Sequence, residues 1–217
     1  MITGRILLGM LGVAAALQLT AADKPKITAV ERSQGWRLLF DGASLSDWRG
    51  YRLNKVPANW SVADDWATNS GGPGLVSEEE FQDFELQLDW KVAEGGIAMI
   101  YLRADEEGTG PEETGLLVEL AGGTAMGGNG GLTKLWREIT PQPGLWYRVK
   151  IMVHGNQVEH WINGDRVLTY MIDSPEWRAG VAASRFKHSR DYGKLPRGRL
   201  VLAGTGASFR NIKIRPI

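Results

Sequence analysis

The chain has 217 residues, 25 acidic and 25 basic, and no cysteine. That length suits one domain with a sizeable core, and the balanced charge gives no support for nucleic-acid or anionic-membrane binding. The missing cysteine excludes thiol nucleophiles, thiolate metal sites and disulfide staples. Glycine, at 28, and tryptophan, at 9, are both abundant, which favours a turn-rich all-β protein. Most of the tryptophans read as core, with sugar stacking as the functional alternative.

The N-terminus has the form of a secretory signal over residues 1–22. Arg5 precedes an apolar run from Ile6 to Leu19, and small residues follow at Ala21 and Ala22. The run is too short for a spanning helix, which needs roughly 20 residues. The mature chain is therefore expected in a bacterial periplasm or outside the cell, with no stable membrane span. Residues 23–33 are polar and read as a linker into one domain, 34–217.

The strands of that domain announce themselves by period two. In "FELQLDWKV" the residues Phe84, Leu86, Leu88, Trp90 and Val92 alternate with Glu85, Gln87, Asp89 and Lys91. "IAMIYLRA" should be the next strand, and "GLLVELA" another. "WYRVKIMVHG", "GNQVEHWING" and "DRVLTYMI" form a three-stranded meander from about Trp146 to Ile172, turned at Gly155-Asn156 and Asn163-Gly164. "WRLLF", "NWSVADDW", "GLVSEE", "RLVLAG" and "SFRNIKIRP" complete the set. One short helix is expected near 174–186, with Ser174 as cap and Pro175 at its first position. The pattern predicts an antiparallel β-sandwich without internal repeats.

Chemistry-bearing motifs are few. There is no phosphate loop, no dinucleotide fingerprint and no nucleophile elbow. Three histidines, His154, His160 and His188, are too scattered for a histidine metal site. His160 alternates with Val158 and Ile162, as a core histidine would. Asp64-Asp65 and Glu78 to Glu80 read as solvated turns rather than calcium ligands, having no calcium-loop spacing. No cofactor is evident, although the sequence leaves a bound metal open.

Five segments taken in order carry a resemblance. "WRLLFDGASLSDWRGY", "NWSVADD", "FQDFELQLDWKVAEGG", "VEHWINGDRVLTYMIDSPEWRAGVAASRFK" and "FRNIKIRPI" resemble the secreted bacterial 3-keto-disaccharide hydrolase family from about Trp36 to Ile217. The resemblance implies a concanavalin-like jelly roll of two antiparallel sheets with a sugar site beside the concave face. It also implies cleavage of glycosides oxidised at C3. A base takes the acidified C2 proton, the enolate expels the C1 leaving group, and water adds. Such chemistry needs a base, an acid and a cation on the enolate oxygen.

The site itself departs from the family pattern. Members read Gly-Gly-Asn-Ser-Gly where this chain has Gly95-Gly96-Ile97-Ala98-Met99, and Arg103 at the strand end is kept. A Glu-x-Gln becomes Leu117-Val118-Glu119, with Gly122 near a usual Asp. Gln, Asp and His are missing from "LVLAGTGASFRNI", while "SRFK" matches Ser-Lys-Phe-Lys with Arg185 in place of one Lys. Carried over, the resemblance offers Glu119 and Arg103 as catalytic residues, and Tyr101, Lys134, Trp136 and Arg185 as substrate-binding ones; no metal ligand is assigned. Arg103 and Glu119 could pair across a ladder, as catalytic partners or as a structural salt bridge. Trp136 could stack on a sugar and Lys134 supply a cation, or both could sit on an exposed edge. Three readings stay open: a 3-keto-glycoside hydrolase or lyase, a catalytically degenerate carbohydrate-binding jelly roll, and a protein-interaction domain.

Overall fold

Period-two alternation becomes strand almost everywhere it occurs. The computed structural model describes residues 26–217 apart from Thr124 and Arg190, so the signal-peptide reading lies outside the described residues. A short helix α1 (Ala29–Ser33) leads into β1 (Arg37–Leu38), β2 (Trp48–Gly50), β3 (Trp60–Ala63), β4 (Trp66–Asn69) and β5 (Leu75–Phe81). Then come β6 (Phe84–Ala104), β7 (Leu116–Ala121), β8 (Tyr147–His154), β9 (Gln157–Ile162) and β10 (Asp165–Met171). Helix α2 (Pro175–Ala183) and β11 (Gly198–Pro216) close the order, with 3-10 turns at Pro111–Glu113 and Arg185–His188.

The fold is all-β, and its hydrogen bonding corrects the expectation of two separate sheets. All eleven strands join one antiparallel sheet. "FELQLDWKV" and "IAMIYLRA" are not two strands but one, and "RLVLAG" and "SFRNIKIRP" likewise merge into β11. β6 pairs with β8 over Phe84–Trp90 and with β7 over Ala98–Leu102, while β11 follows it from Pro216 opposite Phe84 to Arg199 opposite Ala104. A straight strand of 21 residues would be about 70 Å long. Yet Arg103 Nη2 lies 3.0 Å from Oδ1 of Asp83, the residue just before the strand begins. The β6–β11 ribbon is therefore folded back on itself, and the two limbs of one sheet make the layers of a sandwich. The bend falls near Gly95 in β6 and Gly206 in β11, each with φ of +68°, a conformation that glycine adopts without a Cβ clash.

The core lies inside this fold. Phe84, Leu86, Leu88, Trp90 and Val92 are buried on the first limb, and Ala98, Ile100, Leu102 and Ala104 on the second. The same even-numbered face of β6 lines both layers. β8 and β9 add Val149, Ile151, Val153, Val158 and Ile162 from the expected meander, and β7 adds Leu116, Val118 and Leu120. Asn163 and Gly164 both have positive φ, as the primed hairpin turn between β9 and β10 requires.

Two local elements differ from expectation. Residues 23–33, read as linker, contain α1: Thr28 and Glu31 form a reciprocal capping box, and Glu31 pairs with Lys213 of β11. The helix expected over 174–186 is split. Ser174 caps α2 by accepting the Trp177 N–H at 3.1 Å. Ser184 then adopts an extended backbone and starts a separate 3-10 turn by accepting from Phe186 N–H at 3.0 Å. Behind these elements runs a ring stack, Tyr170 to Trp177 (4.9 Å), Trp177 to Tyr192 (5.8 Å) and Tyr192 to Phe186 (4.1 Å between centroids).

Arg103 closes the fold. By strand alternation it should share a face with Tyr101, but its φ of +52° breaks the alternation. Its Nε donates to the Gln82 carbonyl at 2.8 Å, and Nη2 donates to Asp83 and to the Gly155 carbonyl, each at 3.0 Å. The clamp ties both ends of β6 to the β8–β9 turn. Arg103→Met should lower unfolding free energy by about 3 kcal/mol in urea denaturation, because it strands a partly buried Asp83 and two carbonyls.

His160 is fully buried, as its alternation indicated. Nδ1 faces the Gly127 carbonyl at 2.8 Å, so it carries the ring proton. Burial lowers its pKa from 6.5 to about 4, against the opposing pull of that carbonyl. Above pH 6.5 this group costs nothing; below it the unfolded chain takes up a proton that the folded chain refuses until about pH 4. Stability should thus fall by about 3 kcal/mol across that window. His160→Gln, which keeps a donor but does not titrate, should flatten that acid slope in pH-dependent denaturation.

Candidate functional site

The outer face of the second limb carries the polar groups. Tyr101 stands opposite Leu117, and Met99 opposite Glu119, so these four side chains share one side of the β6–β7 ladder. On the other flank Val201 and Ala203 of β11 pair with Tyr101 and Met99. An open groove of about 430 Å³ lies over this face, with Tyr51, Tyr101, Glu112, Val201 and Ala203 among its walls.

One wall is the acidic loop that follows β6. Arg49 of β2 grips Glu106 through both guanidinium ends, one at 2.8 Å, and the Arg52 N–H also donates to that carboxylate. These bonds hold the Glu106 carboxyl below its ordinary range, with the Arg49 hydrogen bonds as the largest cause. Tyr51 donates its hydroxyl to the Asp105 carbonyl at 2.9 Å. The loop is thereby pinned to β2, and the Pro111–Glu113 turn brings Glu112 to the groove.

Tyr101 is 8% exposed, and its hydroxyl donates only to Met99 Sδ, at 3.4 Å. A thioether is a weak acceptor, so this donor can be recruited by a better one. Burial, aided by the Glu112 charge and opposed by Arg185, pushes its pKa up to about 12. The phenol is therefore protonated at neutral pH.

Glu119 is 7% exposed. Oε2 accepts the Gly130 N–H at 3.3 Å, and Oε1 lies 3.9 Å from Arg185 Nη2. That last distance is an ion pair too long for a hydrogen bond, so the guanidinium, on a side chain 60% exposed, keeps its donors for another group. The loop after β7 wraps the carboxylate closely. A Cβ on Gly123 or Gly128 would fall 2.6 or 2.8 Å from its oxygens.

The structure thus gathers three of the sequence-derived residues, Glu119, Tyr101 and Arg185. It does not bring Arg103 to them. Arg103 and Glu119 make no pair; Met99 stands opposite Glu119, and Arg103 is spent on the Asp83 clamp. Lys134 is exposed on the loop between β7 and β8. Trp136, 57% exposed, packs under Arg166 of β10 at 4.7 Å and so belongs to the face of the other limb. Tyr51 and Glu112 were not legible, since each reaches the groove from a loop or edge with no periodic signal. Among the described residues no group of three His, Asp or Glu side chains is gathered to hold a metal ion, and no helix is long and apolar enough to cross a membrane.

A folded-over antiparallel sheet with a polar groove on one outer face is the architecture of a jelly roll. The chain belongs to the 3-keto-alpha-glucoside-1,2-lyase-like family, whose signature matches residues 35–215. It is 27% identical over 205 residues to a 3-keto-disaccharide hydrolase of Bacteroides thetaiotaomicron, covering 79% of this chain and 71% of that one. A solved structure of a protein assigned to the glycosyl hydrolases, from Parabacteroides distasonis, superposes with a TM-score of 0.83 at 22% identity, over 90% of this chain and 100% of the other. The carbohydrate binding module CBM66 of Bacillus subtilis follows at 0.50 and 15%, over 77% and 94%. At these identities the two structural likenesses concern the fold.

Gly128→Ala tests the loop that holds Glu119 without touching the carboxylate. The added methyl should displace Glu119 and destabilise the protein by about 1–3 kcal/mol in thermal or urea unfolding.

Proposed function

We propose that the protein cleaves glycosides whose sugar carries a ketone at C3, working outside the bacterial cytoplasm. The observation that carries this reading is the trio on one sheet face: a sunk carboxylate, Glu119, with a loosely held cation, Arg185, at 3.9 Å and a protonated phenol, Tyr101, beside them. Family membership supplies the substrate class, and the residues 1–22 supply the expected export.

In this reading Glu119 takes the C2 proton of the bound sugar. The electron pair of that C–H bond forms the enolate, whose oxygen is held by the Arg185 guanidinium. Collapse of the enolate restores the C3 ketone, makes the C1–C2 double bond and breaks the bond from C1 to the leaving oxygen. Tyr101 gives its proton to that oxygen. Water then adds across the double bond, for net hydrolysis. The cationic role is given to Arg185 rather than to Arg103, which is spent on the Asp83 clamp, or to Lys134, which is exposed on the loop between β7 and β8. Stabilising the developing charge and positioning the proton donor are the terms this arrangement supplies.

A second reading is favoured by one observation. Ile97, 37% exposed, and Leu117, opposite Tyr101, stand where the family pattern has Asn and Glu, as in a binding module without catalysis. Incubation of the purified chain with a 3-keto-glucoside separates the two. Sugar release should appear and fall by at least about a hundredfold in Glu119→Gln, the loss expected for a proton-transfer group. Release unchanged in that variant removes Glu119 from its role. Binding by calorimetry without release establishes the module instead.

A further inference from the structure

The outer face of the first limb lies across the core from the groove, and nothing in the reaction above uses it. There Asp89 of β6 stands between Arg148 of β8 and Arg210 of β11. Asp89 is fully buried, and its oxygens are already taken. Arg148 donates from Nε to Oδ1 at 2.8 Å and from Nη2 to Oδ2 at 3.4 Å, and the Asn211 amide donates to Oδ2 at 2.6 Å. A bulge in β11 makes this allocation. The register slips between Arg210 and Lys213, and Asn211 takes a φ of +53° there, which turns its amide onto the carboxylate. Arg210 is left with its Nε at 3.8 Å from Oδ2, too far for a hydrogen bond.

That leaves a buried cation without its bonds. Arg210 is 8% exposed, and its Nε has no hydrogen-bond partner. The guanidinium packs over the Trp146 ring instead, at 4.0 Å. Unsatisfied donors at this depth are rare in native proteins, and a bound ion is one of the things that completes them.

Lys91, the next outward residue of β6, is in the same condition. Its Nζ lies over Trp66 at 4.1 Å and over Trp146 at 4.8 Å, and it makes no ion pair among the described residues. Asp64, on the turn between β3 and β4, attracts it without pairing with it. Burial, and after it the Arg210 charge, hold the Lys91 pKa below its ordinary range. Three cations, Lys91, Arg148 and Arg210, thus gather at one carboxylate that only Arg148 engages by hydrogen bonds. Trp66 and Trp146, in edge contact at 5.6 Å, wall the place. Ser208, opposite Lys91 in the ladder, and Thr68 add two hydroxyls 2.9 Å apart.

We propose that Arg210 and Lys91 bind an oxyanion on this face, a carboxylate or a phosphate. One negative group gives the guanidinium the acceptor it lacks and relieves its repulsion of the ammonium. The indole walls lower the local dielectric, which strengthens that attraction.

Calorimetry on the full chain, at fixed ionic strength, tests this without reference to catalysis. Inorganic phosphate and glucuronate are the two probes, and the tighter names the source, a free ion or a sugar acid. Lys91→Gln should weaken binding about tenfold, the loss of one charge-assisted contact. Arg210→Met, which keeps a stem against Trp146, should abolish it. Because Arg148 and Asn211 still hold Asp89, Arg210→Met should unfold at no lower urea concentration than the parent in anion-free buffer. Lys150→Gln is the control. Its Nζ is on the same face but over Trp161, at 4.1 Å, and its loss should leave binding unchanged. Binding of neither probe, or binding that survives Arg210→Met, overturns the proposal. Equal losses in Lys150→Gln and Lys91→Gln overturn it too, since they make the attraction a property of the whole face. A lower urea midpoint for Arg210→Met does the same, by showing that Asp89 already satisfies the guanidinium.

Discussion

Everything in this molecule depends on one strand turning back on itself. β6 contributes to both layers, and it does so only because Asp83 at its start and Arg103 at its end are brought together. The cost of burying that guanidinium, 4% exposed, is offset by the Gln82 and Gly155 carbonyls and the Asp83 carboxylate. Once the ends meet, the apolar face of β6 is forced inward along both limbs. The polar face of the second limb is forced outward, which is what creates the groove. The fold's closure and the site's existence are therefore one event, although Arg103 itself is bonded to Asp83 and not to Glu119.

Much of this was legible in the sequence, and the parts that were not have physical reasons. The alternation from Phe84 to Val92 and the Asn163-Gly164 turn carry their own local signals, so the meander and the all-β class could be read directly. Ser174 and Pro175 announced a helix start. The split at Ser184 was hidden, because Ser-Arg-Phe-Lys is as good a continuation of a helix as a break. Continuity of β6 was hidden for the opposite reason. Gly95-Gly96 reads as a turn, yet here those glycines bend a strand without ending it. Thr28 and Glu31 did spell a capping box, a signal present in the segment taken as linker.

The site shows the same division. Glu119 and Tyr101 fell on a shared face because register is a consequence of period two, which sequence conveys. Arg103 was misplaced by a single dihedral, its φ of +52°, and no alternation pattern encodes a left-handed arginine. The groove's other walls come from long-range pairs such as Arg49 with Glu106, 57 residues apart. Those pairs are set by tertiary folding and leave no local trace. Around Glu119 the logic is steric: glycines let backbone crowd a carboxylate that a larger residue would push aside.

The pairing of β11 has a consequence for how the chain reaches this state. β11, Gly198–Pro216, is hydrogen-bonded to β1, β4, β5 and β6, so it is the common neighbour of strands drawn from the first half of the sequence. Until it is in place, those strands present open edges with nothing to complete them. Contacts spanning so much sequence close slowly, since loop entropy is lost before the pairing rewards it. A ribosome-bound chain truncated before residue 198 would hold helices and hairpins but no sandwich. The sandwich therefore cannot close until β11 has joined the strands it pairs with.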